Sequence, residues 1–172
     1  MNRIYKTKLR RYLIAVLMLI LSGFITVAIK DNIDAKNPEV SLPVINVTTG
    51  YTYIPDVNVP RAGYEWKFGA KTVRAPYVSS IDVPLIAYEA QPEAPIRIGF
   101  TIPHTQLTLY ECPGVMYDGK VMAVDDAFVE RRYSTDTPAE EGIYVYKVVA
   151  QFDRGTIVHY FALNIGSAYT IH

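Results

Sequence analysis

Three histidines and one cysteine are the side chains of this sequence best suited to metal or nucleophilic chemistry, and their placement supports neither. His104, His159 and His172 are not at ligand spacing from one another or from Cys112. His159 stands between Val158 and Tyr160 and is expected as a partly exposed strand histidine. Cys112 and His104 lie near the ends of one predicted strand and could pair as nucleophile and base, but no third orienting group accompanies them. Asp125-Asp126 and Glu140-Glu141 are acidic pairs. Neither supplies the converging oxygens of a calcium loop, so both read as solvated turn charges. The expectation is therefore no catalytic residue, no metal site and no cofactor.

Aromatic residues are the other chemical signal. Fourteen residues are tyrosine, and Tyr51, Tyr53, Tyr64, Trp66 and Tyr77 concentrate beside Pro55, Pro60 and Pro76. Flat amphipathic rings give contact area at little entropic cost, so these five form a candidate surface for a glycan, peptide or protein. The competing explanation is strand propensity and core filling.

The elements that would position these residues begin with a hydrophobic run. Residues 12–29, from Tyr12 to Ile29, contain no charged side chain. At helical rise they span roughly 27 Å, close to a bilayer's hydrocarbon core. Arg3, Lys6, Lys8, Arg10 and Arg11 precede the run without an acid, which marks residues 1–11 as a basic cytoplasmic tail. A cleaved secretory signal is the rival; Thr26-Val27-Ala28 is its best cleavage site and a poor one. Leu21-Ser22-Gly23 resembles the start of a lipobox, but Phe24 stands where the lipidated cysteine is needed. The expected topology is an uncleaved signal-anchor in the plasma membrane, with the N-terminus inside and the rest extracytoplasmic. Ser22-Gly23 is a candidate small-residue helix contact, or simply ordinary membrane-helix composition.

Beyond Lys30 lie eleven bases and seventeen acids, a net charge of −6. That sign disfavours nucleic acid or an anionic lipid surface as the outer domain's partner. Cys112 is the only cysteine, so no internal disulfide exists; the thiol is either buried and inert or pairs between chains.

Residues 30–43 are polar, with Pro38 and Pro43, and read as a stalk. From residue 44 to 172 the apolar period is two. Val44–Val47, Tyr51–Ile54, Ile96–Phe100 and Leu107–Leu109 read as strands, and Glu111-Cys112-Pro113-Gly114 as a turn. A turn of helix is expected near Ser79–Leu85. Gly142–Phe152 is the clearest strand, with Tyr144, Tyr146, Val148, Ala150 and Phe152 on one face. Asp153-Arg154-Gly155 should turn it back into Thr156–Ile165. Apolar residues on both faces of this hairpin imply a covered sheet. Short strands between Pro and Gly turns predict an all-β, antiparallel β-sandwich ectodomain.

Glu140-Glu141-Gly142-Ile143-Tyr144-Val145-Tyr146 resembles the immunoglobulin pattern acid-x-Gly-x-Tyr-x-Cys. Tyr144 matches the corner tyrosine and Tyr146 replaces the cysteine. Gly63-Tyr64-Glu65-Trp66, Thr72-Val73-Arg74 and Ser79-Ser80-Ile81-Asp82, with the closing hairpin, resemble a group of membrane-anchored Ig-like proteins of Gram-positive bacteria. Their Tyr-Cys-Trp disulfide clip is absent here, because Glu65 and Val73 occupy the cysteine positions. The resemblance implies an Ig-like fold and an envelope location, and no activity. It also leaves the sequon Asn46-Val47-Thr48 silent. The expected role is a non-catalytic interaction or sensing module with a protein or glycan partner. The alternative is an accessory subunit of a larger membrane complex.

Overall fold

The computed structural model describes residues 3–124, 128–131 and 135–166, with side chains from Leu9 onward. The Asp125-Asp126 pair and His172 lie outside the described residues. The chain divides into two compact units, residues 3–42 with 68–73, and 43–67 with 74–166.

The first unit is dominated by helix α1, Arg3–Asp34. Its Leu9–Asp34 portion is long and apolar enough to cross a membrane. Leu13, Leu17, Leu19, Phe24 and Ile29 are all exposed, on successive faces. A helix that is apolar all round and uncovered lacks the single stripe of a surface helix on a soluble core. The hydroxyls are satisfied within the helix: Ser22 Oγ donates to Leu19 O at 2.8 Å and Thr26 Oγ1 to Ser22 O at 2.9 Å. The helix does not stop at Ile29. Lys30 Nζ meets Asp34 Oδ2 at 2.9 Å one turn later, and no breaker intervenes before Pro38. Pro38 then opens a short helix α2, Pro38–Ser41, where its missing N–H is harmless. The predicted stalk is thus largely helical.

Eleven strands follow among the described residues: β1 (Ile45–Thr49), β2 (Thr52–Ile54), β3 (Arg61–Phe68), β4 (Lys71–Ala75), β5 (Ala87–Ala90), β6 (Ile96–Phe100), β7 (Gln106–Tyr117), β8 (Lys120–Ala123), β9 (Val129–Glu130), β10 (Gly142–Phe152) and β11 (Gly155–Ile165). The smaller sheet has the order β2-β1-β6 and is antiparallel. The larger runs β4-β3-β11-β10-β7-β8 and curls into a half-barrel. One edge of β11 is shared: β3 pairs antiparallel along Gly155–His159, then β5 pairs parallel along Ala162–Ile165. The short β9 pairs with β7.

The two-residue period of β10 and β11 sends side chains into two cores. The first joins Ile45, Val47, Ile54 and Ile96 of the smaller sheet to Tyr146, Val148, Phe161 and Leu163 of the larger. The second covers the opposite face, with Leu85, Cys112, Val121, Val145, Val158 and Tyr160. Burial of each large aliphatic or aromatic side chain contributes roughly 1.5–3 kcal/mol, so these two layers hold the β unit together.

Two local expectations need correction. Residues Glu111–Gly114 are not a turn; β7 runs straight through them. Pro113 sits where β7 leaves β10, and from Gly114 onward β7 pairs with β8 instead, so the missing N–H falls at the end of a ladder. The β10–β11 loop is two residues, Asp153-Arg154, because Gly155 already pairs with Phe152. Gly155 has φ +154°, and a Cβ there would lie 1.9 Å from the carbonyl oxygen of Glu65 on β3. Glycine is required by the neighbouring strand as well as by the turn. Near the expected helical turn, Ser80–Asp82 forms a 3-10 turn whose preceding Ser79 Oγ accepts from Ile81 N.

Candidate functional site

The β7–β10 ladder sets Glu111 opposite Tyr146 and Pro113 opposite Tyr144. Alternation along β7 puts Leu107, Leu109 and Glu111 on one face, that of the first core, so a carboxylate occupies the third inward position. Nearby, residues 135–138 run beside residues 91–96. Ile96 N donates to Thr135 O at 2.8 Å, Thr137 N to Ala94 O at 2.8 Å and Ala94 N to Thr137 Oγ1 at 2.8 Å. Thr137 Oγ1 in turn donates to Gln91 O at 2.6 Å. This strapped segment and the end of the β7–β10 ladder border an open cleft of about 650 Å³, lined by Glu93, Glu111, Arg131, Asp136, Thr137, Pro138, Ala139, Glu140 and Tyr144. That is the size range of ligand pockets, roughly 300–1,000 Å³.

Its floor is a held ion pair. Arg131 Nη1 lies 3.5 Å from Glu111 Oε1, and both side chains are mostly buried. Arg131 Nη2 donates to Asp136 O at 2.8 Å, and its backbone N to Leu109 O at 2.8 Å. The guanidinium therefore has little freedom to reach Glu111 Oε2, which is buried without a partner among the described residues. The hydroxyl of Tyr146 is equally buried and unpartnered; it faces the Glu111 carboxylate without closing a hydrogen bond of good geometry. Burial first, and then the Glu111 charge, hold the Tyr146 phenol far above its ordinary pKa, so it stays neutral. Its ring stacks on Phe161 at 4.9 Å. At the mouth, Tyr144 Oη donates to Glu140 O at 3.3 Å. Partial burial, then the charges of Glu140 and Glu111, raise the Tyr144 pKa. Glu93, Asp136 and Glu140 are exposed and form the rim.

Among the described residues, four carboxylates and one guanidinium line the cleft. The carboxylates do not converge on a point: no group of three histidine, cysteine or acidic side chains among the described residues could hold a metal ion. Among the described residues, Thr137 is the only lining hydroxyl besides Tyr144, and it is engaged as donor and acceptor. Glu111 was legible in principle as the charge that interrupts Leu107-x-Leu109. Arg131 carries no comparable signal, since it sits just past a two-residue strand.

The predicted contact surface does not survive intact. Tyr51, Tyr53 and Tyr77 are exposed, but Tyr64 is 5% and Trp66 2% exposed. Strand β3 lies between β4 and β11, so its alternate side chains enter the core, and Trp66 packs edge-on against Phe152 at 5.3 Å. His159 is buried, 3% exposed, and not partly exposed as expected. β11 is covered on this face by the segment carrying Val59, whose carbonyl lies 3.0 Å from His159 Nδ1. Cys112 is fully buried in the second core. His104 lies edge-on to Phe100, which packs against the first core. The two are not brought together, and the thiol is not presented to another chain. Asn46 is exposed on β1, and Glu140 and Glu141 are both exposed.

Comparison of the chain with family models, with curated proteins and with solved structures finds no match.

Proposed function

We propose that this protein is a single-pass, membrane-anchored binding module at the bacterial cell envelope, with α1 in the bilayer and an Ig-like β unit on the outer side. The observation that carries this reading is the uncovered, all-round apolar Leu9–Asp34 helix joined to a β-rich unit with its own two cores. The basic residues flanking its start favour the orientation with the N-terminus inside. Two features support the Ig-like framework: a core between an antiparallel sheet and a largely antiparallel one, and the Tyr144 hydroxyl bonded to backbone just upstream. The role is recognition, not catalysis, by a polar cleft and the exposed Tyr51 and Tyr53 hairpin.

The test is protease treatment of intact bacterial cells expressing the chain, followed by alkaline carbonate extraction. Peptides from residues 43–166 should be released from intact cells, while peptides from α1 stay in the carbonate-resistant membrane pellet. Protection of residues 43–166 until the cells are lysed would overturn the orientation. Full release of α1 by carbonate would overturn the anchor. A membrane protein recovered in equal amount from solubilised membranes would make the chain an accessory subunit.

A further inference from the structure

A membrane-anchored binding module needs a ligand, and the outer face of the smaller sheet β2-β1-β6 narrows its chemistry. We infer that this face binds an acidic glycan, a saccharide chain bearing carboxylate groups; the inference rests on the binding-module reading and names its ligand class.

Alternation along the three strands decides which side chains face outward. Ile45, Val47, Ile54, Ile96, Ile98 and Phe100 belong to the first core or pack against it, so Asn46, Thr48, Tyr53, Arg97 and Gly99 occupy the opposite face. The register sets Thr48 between Tyr53 on one side and Arg97 on the other, and Asn46 opposite Gly99. Tyr53, Thr48 and Arg97 form one row across three strands, about 10 Å long at the usual strand spacing. Asn46, Tyr53 and Arg97 are exposed and Thr48 is half-buried. None of these four polar side chains has a hydrogen bond or ion pair among the described residues. Their donors and acceptors are all uncommitted.

Two independent observations point from this row to a ligand. The first is Gly99. A glycine inside a strand weakens it, and marks a bulge, a bend or a close approach. The β1–β6 register runs unbroken from Ile45 to Thr49, so there is no bulge. Gly99 is not in the left-handed region, and no described neighbour lies within 4 Å of where its Cβ would stand. Neither the backbone nor the packing calls for glycine, and the missing side chain leaves a bare notch beside Asn46 and Arg97. The second observation is charge. Arg97 is the only charged residue of β1, β2 and β6, in a segment, 43–172, that carries fourteen acids and ten bases. An unpaired cation there selects an anion, and its planar fork fits a carboxylate through two parallel hydrogen bonds. The rest of the row selects the scaffold that carries the carboxylate. Tyr53 offers a flat ring to the apolar side of a sugar, and Thr48 and Asn46 offer hydroxyl and amide groups to its hydroxyls. The row lies on the face of the sheet and not along its edge, so a polypeptide could not add to it as a strand.

The full-length chain in nanodiscs of zwitterionic lipid is titrated calorimetrically with tetragalacturonate and with a hyaluronan oligosaccharide. The methyl ester of tetragalacturonate is the neutral control, and pentaglutamate is the acidic control that is not a glycan. Saturable binding of at least one acidic saccharide is expected, with the methyl ester and pentaglutamate both weaker. Arg97→Gln should weaken that binding by at least about tenfold. Arg97→Lys keeps the charge but loses the fork, and should weaken it less. Gly99→Thr separates binding from folding. Its added Cβ meets open space and threonine suits a strand, so this variant should melt no lower than the native chain and still lose most of the binding. Co-elution of the chain with the nanodiscs is scored separately. Failure there counts against the membrane anchor alone, and the same titrations then run in detergent micelles. No saturable binding of either acidic saccharide, equal binding of the methyl ester, tighter binding of pentaglutamate, or undiminished binding by both Arg97→Gln and Gly99→Thr would each overturn the proposal.

Discussion

His159 is a buried histidine whose protonation is linked to folding. Its Nδ1 lies 3.0 Å from the Val59 carbonyl, which can only accept, so Nδ1 carries the proton. Nε2 is then a buried lone pair without a partner among the described residues. Protonation would place a charge there beside Phe100 and the first core. Burial therefore lowers the pKa to about 4, outweighing the opposing hydrogen bond to Val59. The unfolded chain takes up this proton near its ordinary value of about 6.5. Between the two values the unfolded state binds more protons, so stability falls as pH falls. The window is from about pH 6.5 down to about 4, and the loss across it approaches about 3 kcal/mol at roughly 1.4 kcal/mol per unit. Urea melts of the β unit from pH 7 to 4 should show this loss in the native chain and a much smaller one in His159→Gln. Parallel curves for the two would exclude His159 as the linked group. The sequence shows a histidine in an apolar strand but not the Val59 segment that covers it. That covering is a long-range contact a hundred residues away, which explains why the side chain was expected nearer to solvent.

At the scale of elements, strands whose alternation is complete within the strand were legible, and those defined by their neighbours were not. Gly142–Phe152 was bounded correctly because both its faces are apolar and glycine opens it. β3 was missed as a strand because Tyr64 and Trp66 carry polar tips, and aromatic residues fit a surface or a core equally well. Only the pairing of β3 with β11 decides. The second half of β7 was hidden by Pro113-Gly114, although Asp118-Gly119 just beyond it is a strong hairpin signal. Those two residues have φ of 48° and 70° and turn β7 into β8. The glycines of the two hairpins make a paired test. At Gly119 a Cβ meets open space, so Gly119→Ala should cost only the left-handed backbone penalty, about 1–2 kcal/mol. At Gly155 the added Cβ collides with the β3 backbone, so Gly155→Ala should cost about 4 kcal/mol or more, the range reserved for gross core or backbone disruption. Equal costs in denaturant melts would mean that β3 does not lie against β11 in the register described.

At the scale of the molecule, both hydrophobic cores fall within residues 43–67 and 74–166. None of their residues comes from α1. The single cysteine is buried, and no metal cluster exists among the described residues. Among the described residues, cohesion of the β unit rests on apolar burial and strand ladders. A fragment of residues 43–172 retains fourteen acids and ten bases, a net charge of −4, within the range that keeps small domains soluble. Expressed without α1, it should be soluble and monomeric by light scattering. Its far-UV circular dichroism should be dominated by strand and unchanged by reductant or chelator. Its acid-induced loss of stability should match that of the full chain in nanodiscs, because His159 and its covering segment are both retained. The fragment should also stay in the supernatant when mixed with vesicles, whereas the full chain partitions with them. Aggregation, substantial helix, or an acid transition shifted from that of the full chain would show that the β unit depends on α1 for its fold. The helix would then be a structural partner of the sheets and not an anchor, and the membrane-tethered binding module would lose its foundation.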